Sequence, residues 1–380
     1  MGTKVDVTRR EFLGVCGACM AFGLLPDSYA SSPGTQDRPR KGVFSPVPAK
    51  YWKRAGEEST QCLLCPNACI RGPGEQGRCH SRENRGGSYY SLVYNAPCLI
   101  HRDKIEKLPM YHLRPGSEVF SIATAGCNLG CKYCQNWQFS QQSPYVTENY
   151  SITPEEVIRS VRAANCSTIA FFYTEPVVYF EYMLDIAKLA KQNDISTIMV
   201  SAGYINEEPF QEILPLIDAV TFGLKGFDPT FYESVVGGNL ENVLAALKQL
   251  HRSGVWYEMV NLIVPTMNDN PKDMHDMCAW IATHLGTSHP LHFTRFVPEY
   301  LLRTLPMTPQ RTLEQAREIA FSHGLQYVYT ENMPGHEGNN TYCPSCKKLL
   351  VQRLGIKLKN NVLRRGKCPY CNTAQSGPWI

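Results

Sequence analysis

Seven short apolar, β-branched runs recur along the chain after Val119: VFSIATA at 119, TIAFFY at 168, STIMVS at 196, AVTFGL at 219, YEMVNLIV at 257, LHFTRFV at 291 and LQYVYT at 325. Helical signatures lie between several of them. Thr153-Pro154-Glu155-Glu156 supplies an N-cap, a proline at the first helical position and a capping-box glutamate, with Val157, Ile158 and Val161 on one face. Asn239 predicts a cap for a helix through Leu250 that ends near Gly254, and Thr312 with Gln315 predicts another that ends at Gly324. Strand and helix alternating in this way imply parallel βα units, and the expected fold is α/β, a partial (β/α)6 TIM-like barrel. The unit lengths differ too much for a solenoid. Chemistry in such a barrel sits at the carboxyl ends of the strands.

A chain of 380 residues with 43% hydrophobic content has enough apolar surface for an ordinary core, and a net charge of +4 is too near neutral to define a partner. The 16 cysteines are more telling. Most fall in Cys-x-x-Cys-type groups, which in a chain this long reads as metal ligation more readily than as a disulfide framework.

The first thirty residues read as an address. Lys4, Arg9 and Arg10 precede an apolar run from Phe12 to Leu25 that is too short to span a bilayer, and Ser28-Tyr29-Ala30 supplies small residues for cleavage. The stretch TRREFLG, Thr8 to Gly14, resembles the twin-arginine export signal, which implies periplasmic export after cleavage near Ala30. The alternative is a disordered basic N-terminus on a cytoplasmic protein. Five segments are expected: a signal at 1–30, a Pro/Ser/Gly-rich linker at 31–50, a cysteine-rich module at 51–115, the barrel at 116–336 and a ribbon-like module at 337–380.

Cys127, Cys131 and Cys134 follow directly on the first barrel strand. Three thiolates can hold three corners of a four-iron, four-sulfur cubane and leave the fourth iron open, whereas a closed tetrahedral site needs four. A distant cysteine, Cys98 or Cys166, would close the set on the competing reading, but both lie outside the grouped spacing.

Cys127-Asn-Leu-Gly-Cys131-Lys-Tyr133-Cys134 resembles the motif of the radical S-adenosylmethionine (SAM) superfamily. The longer run CNLGCKYCQNWQFSQ, with YWKRAGEESTQCLLCPNACIRGPGEQGRC ahead and TEPVVYFEY behind, resembles the radical SAM enzyme of the AmmeMemoRadiSam system, a family similar to pyruvate formate-lyase activating enzymes. The resemblance runs from Tyr51 to Trp379. It implies that SAM chelates the unique iron of a 4Fe-4S cluster. An electron from a flavodoxin- or ferredoxin-type donor then cleaves SAM to methionine and a 5′-deoxyadenosyl radical, which takes hydrogen from a substrate. By the same resemblance Tyr133 lies against the adenine, Glu175 accepts a hydrogen bond from the SAM ammonium, Ser201 contacts SAM, and Lys225 meets a carboxylate or the ribose. Relatives carry Asp-x-Lys where this chain has Gly223-Leu224-Lys225. His292 and Arg295, in LHFTRFVPEY, are candidates to face the substrate. The duller readings are that Glu175 caps the helix after Pro176, that Tyr133 is core and that Lys225 is solvated.

Two further cysteine sets flank the barrel. Cys343-x-x-Cys346 and Cys368-x-x-Cys371, 21 residues apart, have zinc-ribbon spacing. From Cys343 onward there are eight Lys or Arg residues (Lys347, Lys348, Arg353, Lys357, Lys359, Arg364, Arg365, Lys367) and no Asp or Glu, a one-signed surface able to attract an acidic partner such as RNA. Cys62, Cys65, Cys69 and Cys79 form the other set; the knuckle QCLLCPNAC resembles half a ribbon, so zinc is expected there ahead of a second iron–sulfur cluster. Two substrates suit the enzyme reading: a glycine-bearing loop of a partner protein, as in a glycyl-radical activase, or an RNA or protein modified through the basic ribbon. The rival of a different class is a non-catalytic electron carrier, whose cluster would ignore SAM.

Overall fold

The computed structural model describes residues 38–379, so the leader at 1–30 lies outside the described residues. An eight-stranded sheet organises the rest. Its strands are β1 (Pro97–Lys104), β2 (Glu118–Thr124), β3 (Thr168–Phe171), β4 (Ser196–Ser201), β5 (Ala219–Gly223), β6 (Trp256–Ile263), β7 (Leu291–Arg295) and β8 (Val328–Glu331). They stand side by side in chain order. β2 to β8 are parallel to their neighbours, and β1 is antiparallel to β2. The crossovers carry α1 (Pro154–Ala163), α2 (Phe180–Gln192), α3 (Glu207–Ile213), α4 (Leu240–Ser253), α5 (Pro271–Leu285) and α6 (Gln310–Ser322). An order without a reversal is that of a barrel wound in one sense, and here the edges β1 and β8 stay unpaired with each other. The expected six βα units are present, and a seventh parallel strand follows the last of them.

Local chemistry fixes the units. The Thr153 hydroxyl accepts from Glu156 N and the Glu156 carboxylate accepts from Thr153 N, a reciprocal capping box at α1. Asn239 Oδ1 accepts from Asn242 N to start α4, and Gly254 at φ 75° ends it. Thr312 is a departure: α6 begins at Gln310 after Pro309, so Thr312 lies inside the first turn. Pro309 already sets an extended approach, and a residue following proline opens the helix before the threonine can cap it. No helix among the described residues is long and apolar enough to cross a membrane.

Residues 40–48, expected as linker, instead carry two short strands. Arg40–Lys41 pairs with Glu148–Asn149, and Val47–Pro48 pairs with Tyr90–Ser91. Asn149 Nδ2 donates to Val43 O at 2.6 Å, and Phe44 meets Tyr145 edge-on at 4.6 Å. These are partners distant in sequence, which a composition poor in apolar periodicity conceals. The boundary expected near 115 also moves, because Pro97–Lys104 belongs to the central sheet.

A buried polar network joins the late strands. His292, second in β7 and fully buried, reaches Glu331 through Nδ1 at 2.7 Å and Glu258 through Nε2 at 2.8 Å. Glu258 also accepts from the backbone N–H groups of Tyr111 and His112. Both ring nitrogens of His292 are therefore spent joining β6, β7 and β8, a departure from the expectation that it faces the substrate. Burial alone would raise the Glu258 carboxyl, but the His292 hydrogen bond, the His112 and His292 charges and the Tyr111 N–H hold it at about 2, below its ordinary 4.5. The unfolded chain thus binds more protons between those values, so this contribution is complete above pH 4.5 and lost as pH falls toward 2. Its upper bound is about 3 kcal/mol. Denaturant unfolding of the wild type and Glu258→Gln at pH 6 and pH 3 should show the smaller acid loss in the variant; parallel losses would remove Glu258 from the acid response.

The C-terminal strands Thr341–Tyr342, Leu349–Leu354 and Lys357–Asn361 form a small antiparallel sheet. Arg353 departs from the surface basic set. It is buried, donates from Nη2 to Tyr111 O and from Nη1 to Thr341 Oγ1, each at 2.9 Å, and stands 3.8 Å from the Glu106 carboxylate. The other seven basic residues of that segment are exposed.

Candidate active site and metal centres

Gly126, at φ 100°, turns the chain out of β2 and into the loop that carries Cys127, Cys131 and Cys134. Glu175 follows β3, Ser201 ends β4, and Lys225 stands two residues beyond β5, so consecutive strands deliver all of them to one end of the sheet. Glu175 caps the turn Pro176–Tyr179, and its carboxylate also reaches β4. Its carboxylate accepts from Val177 N at 3.4 Å, from Ser201 Oγ at 2.6 Å and from Ala202 N at 2.9 Å. Burial pushes this carboxyl up, while the Ser201, Ala202 and Val177 donors and the Lys225 charge oppose the rise. The same carboxylate lies close enough to Cys127 that, after burial, it contributes to holding that thiol well above its ordinary range.

Burial pushes the Cys131 thiol to about 11, and Lys225 draws it down. Lys225 is half-buried, and its ammonium has no hydrogen-bond or ion-pair partner among the described residues. The residue is held through its backbone, whose N–H donates to Tyr232 Oη and whose carbonyl accepts from Asn268 Nδ2. A fixed stem with a free ammonium beside a buried carboxylate suits a zwitterionic amino-acid ligand. Tyr133 is buried and stacks on Phe231 at 6.2 Å and 9°. Arg295 reaches the carboxyl end of β7, where its Nε donates to Thr308 O.

Neither candidate fourth ligand joins the triad. Cys98 Sγ donates to Ala123 O and Cys166 Sγ to Ala164 O, both within their own neighbourhoods. Sequence reasoning missed Ser140, whose hydroxyl lies 3.1 Å from Cys134 Sγ, and Phe231, which backs Tyr133. Ser140 lies within the run CNLGCKYCQNWQFSQ but has no signature of its own, and Phe231 is brought in only by folding.

The C-terminal cysteines are arranged differently. Two thiolates each about 2.3 Å from one ion stand about 3.8 Å apart at the tetrahedral angle. Cys343 and Cys371 lie 3.6 Å apart, as do Cys346 and Cys368. The quartet is the one group of three or more potential ligands among the described residues with donor atoms all within 4.8 Å of one another. It can hold a single tetrahedral ion. The Thr373 hydroxyl and N–H draw the Cys371 thiol down, whereas Cys346, despite the Lys348 N–H, is pushed up by burial and by the other three thiols. By the same measure the triad is more open, as ligands to three separate irons must be, and so are Cys62, Cys65, Cys69 and Cys79. Those last four nevertheless line one cavity. The spacing expected for zinc at the N-terminal set is therefore absent.

A strand-end thiol triad with a buried carboxylate one βα unit later defines a class, and residues 121–281 match the Radical SAM superfamily. These residues carry a Radical SAM domain, whose superfamily members are enzymes, and such a domain implies a 4Fe-4S cluster and SAM. More particularly, the chain shares a family with the uncharacterized protein MJ0808 of Methanocaldococcus jannaschii: the two are 41% identical over 325 residues, 85% of this chain and 97% of that one. It is also 26% identical over 161 residues, 40% of this chain and 64% of the other, to the pyruvate formate-lyase-activating enzyme of Clostridium pasteurianum. Among solved structures, Streptococcus suis SuiB bound to S-adenosylmethionine aligns with a TM-score of 0.45 at 10% identity, over 60% of this chain and 54% of that one.

Proposed function

We propose that this protein is the radical SAM enzyme of an AmmeMemoRadiSam-type system and that its substrate is a segment of a partner protein. The observation that carries the radical chemistry is the open thiol triad facing Glu175 and Lys225. Cys127, Cys131 and Cys134 would hold three irons, and the bound cluster with SAM supplies one-electron cleavage of the sulfonium and hydrogen abstraction by the carbon fragment. The chain's own residues orient the ligand. Ser201 and the Ala202 N–H hold the Glu175 carboxylate in place to accept from the SAM ammonium, while the unpaired Lys225 ammonium meets its carboxylate. The Tyr133–Phe231 stack offers an aromatic surface for the adenine. Support for a protein substrate comes from relatives named as activating enzymes of pyruvate formate-lyase and isethionate sulfite-lyase. The closed C-terminal quartet would hold zinc, and residues 1–30 would direct export; a reporter carrying residues 1–35 that stays in the cytoplasm removes the export reading.

Glu175→Gln should weaken SAM binding by about 10- to 100-fold, the value of one charge-assisted hydrogen bond, with iron content unchanged. An unaltered SAM titration of the cluster's electron paramagnetic resonance (EPR) signal would remove Glu175 from the ligand set. The function itself is tested under anaerobic conditions with reconstituted protein, dithionite and SAM, where 5′-deoxyadenosine is the expected product. Deuterium passing from a partner's labelled glycine into deoxyadenosine supports the protein substrate, and a new mass on RNA without such transfer refutes it.

A further inference from the structure

The N-terminal cysteines have a setting that neither a zinc knuckle nor a disulfide explains. Cys62, Cys65, Cys69 and Cys79 line one small cavity. Their thiols surround it at separations wider than one ion allows, since among the described residues only the C-terminal quartet gathers three or more donors within 4.8 Å. Leu64, Val177 and Val178 complete an apolar wall. Four thiolates set wider apart than one ion allows match the ligand set of a four-iron cubane.

A second observation points to an anionic group there. Arg82 lines the same cavity and is 1% exposed. Its Nη1 donates to Lys50 O and its Nη2 pairs with Glu181, yet its Nε–H has no partner among the described residues. A buried guanidinium N–H left over beside four thiols is a donor waiting for sulfur, and such hydrogen bonds and charge ease reduction of a cluster.

The cavity also adjoins the triad. Asn128, next in the chain to Cys127, lines it, and Asn67, between Cys65 and Cys69, donates from Nδ2 to Asn128 O at 2.7 Å. A Cβ on Gly126 would fall 2.3 Å from Cys79 O and 2.0 Å from Ser81 Oγ, so the two cysteine loops touch backbone to backbone.

We propose that Cys62, Cys65, Cys69 and Cys79 hold a second, fully thiolate-ligated four-iron cluster that relays single electrons to the cluster of the triad. The donor is a one-electron protein of the flavodoxin or ferredoxin class, oxidised by one electron for each one passed on. The final acceptor is the sulfonium of SAM, so the relay half rests on the radical SAM reading, whereas the cluster itself does not.

The test uses the full chain, reconstituted anaerobically with iron and sulfide and analysed for iron, sulfide and zinc with EPR of the reduced protein. About eight irons and one zinc per chain are expected. The triple variant Cys127→Ala/Cys131→Ala/Cys134→Ala should keep about half the iron and a reduced-cluster signal that ignores SAM. The variant Cys65→Ser/Cys69→Ser should lose the complementary half and keep the signal that SAM perturbs. With a flavodoxin donor it should form deoxyadenosine about tenfold more slowly, and dithionite, which reaches the triad cluster directly, should restore the rate. About four irons and two zincs in the wild type, or an iron-free triple variant, overturns the second cluster. Equal rates with both donors overturn the relay. A triple variant that holds iron while the wild type ignores SAM leaves the second cluster standing and removes the radical reading alone.

Discussion

Cys131→Ala is expected to form no measurable 5′-deoxyadenosine, a fall of about a thousandfold or more, because two thiolates cannot retain the cluster that does the chemistry. The suitable comparison is Cys166→Ala. That thiol is also buried, but it donates only to Ala164 O and stands apart from every grouped cysteine, so its loss should leave the product rate unchanged. Liquid chromatography of anaerobic reactions reads both. Equal product from wild type and Cys131→Ala would mean that the triad is not the SAM site.

Arg353→Met is expected to destabilise the protein by about 3–5 kcal/mol, the usual cost of removing one partner from a buried pair. Burial already pushes the Glu106 carboxyl up, and Arg353 is the chief group opposing it. Without the guanidinium, Glu106 is left with the Gly116 N–H at 2.7 Å, and Tyr111 loses the cation 4.1 Å above its ring. A thermal midpoint lower by about 10 °C is the readout. Lysine should not rescue it, since the two 2.9 Å hydrogen bonds diverge from a planar fork. Glu106→Gln added to Arg353→Met should recover part of the loss; strict additivity would show that the pair does not couple.

The parts of this molecule legible in its sequence are those governed by local rules. Every β-branched run named at the outset became a strand of the sheet, and the Thr153 and Asn239 caps formed as their spacing required. The open triad and the closed C-terminal quartet were readable because ligand number and spacing are properties of the chain itself. What escaped depended on distance in sequence. His292 looked like a substrate contact because its strand ends near Arg295, but register with β6 and β8 decided that it meets Glu258 and Glu331. Arg353 looked like one more surface charge until folding set it against Tyr111, 242 positions away. The wide setting of the N-terminal thiols could not be read from QCLLCPNAC, since knuckle spacing limits how close thiols can come without fixing how close they do.

Gly126 has a consequence beyond its turn. A methyl group there would collide with Cys79 O and Ser81 Oγ, so even alanine would have to wedge the two cysteine loops apart. The spacing between the two cysteine loops is thus set by the smallest residue available, and a change that leaves all seven thiols intact can still push one loop away from the other.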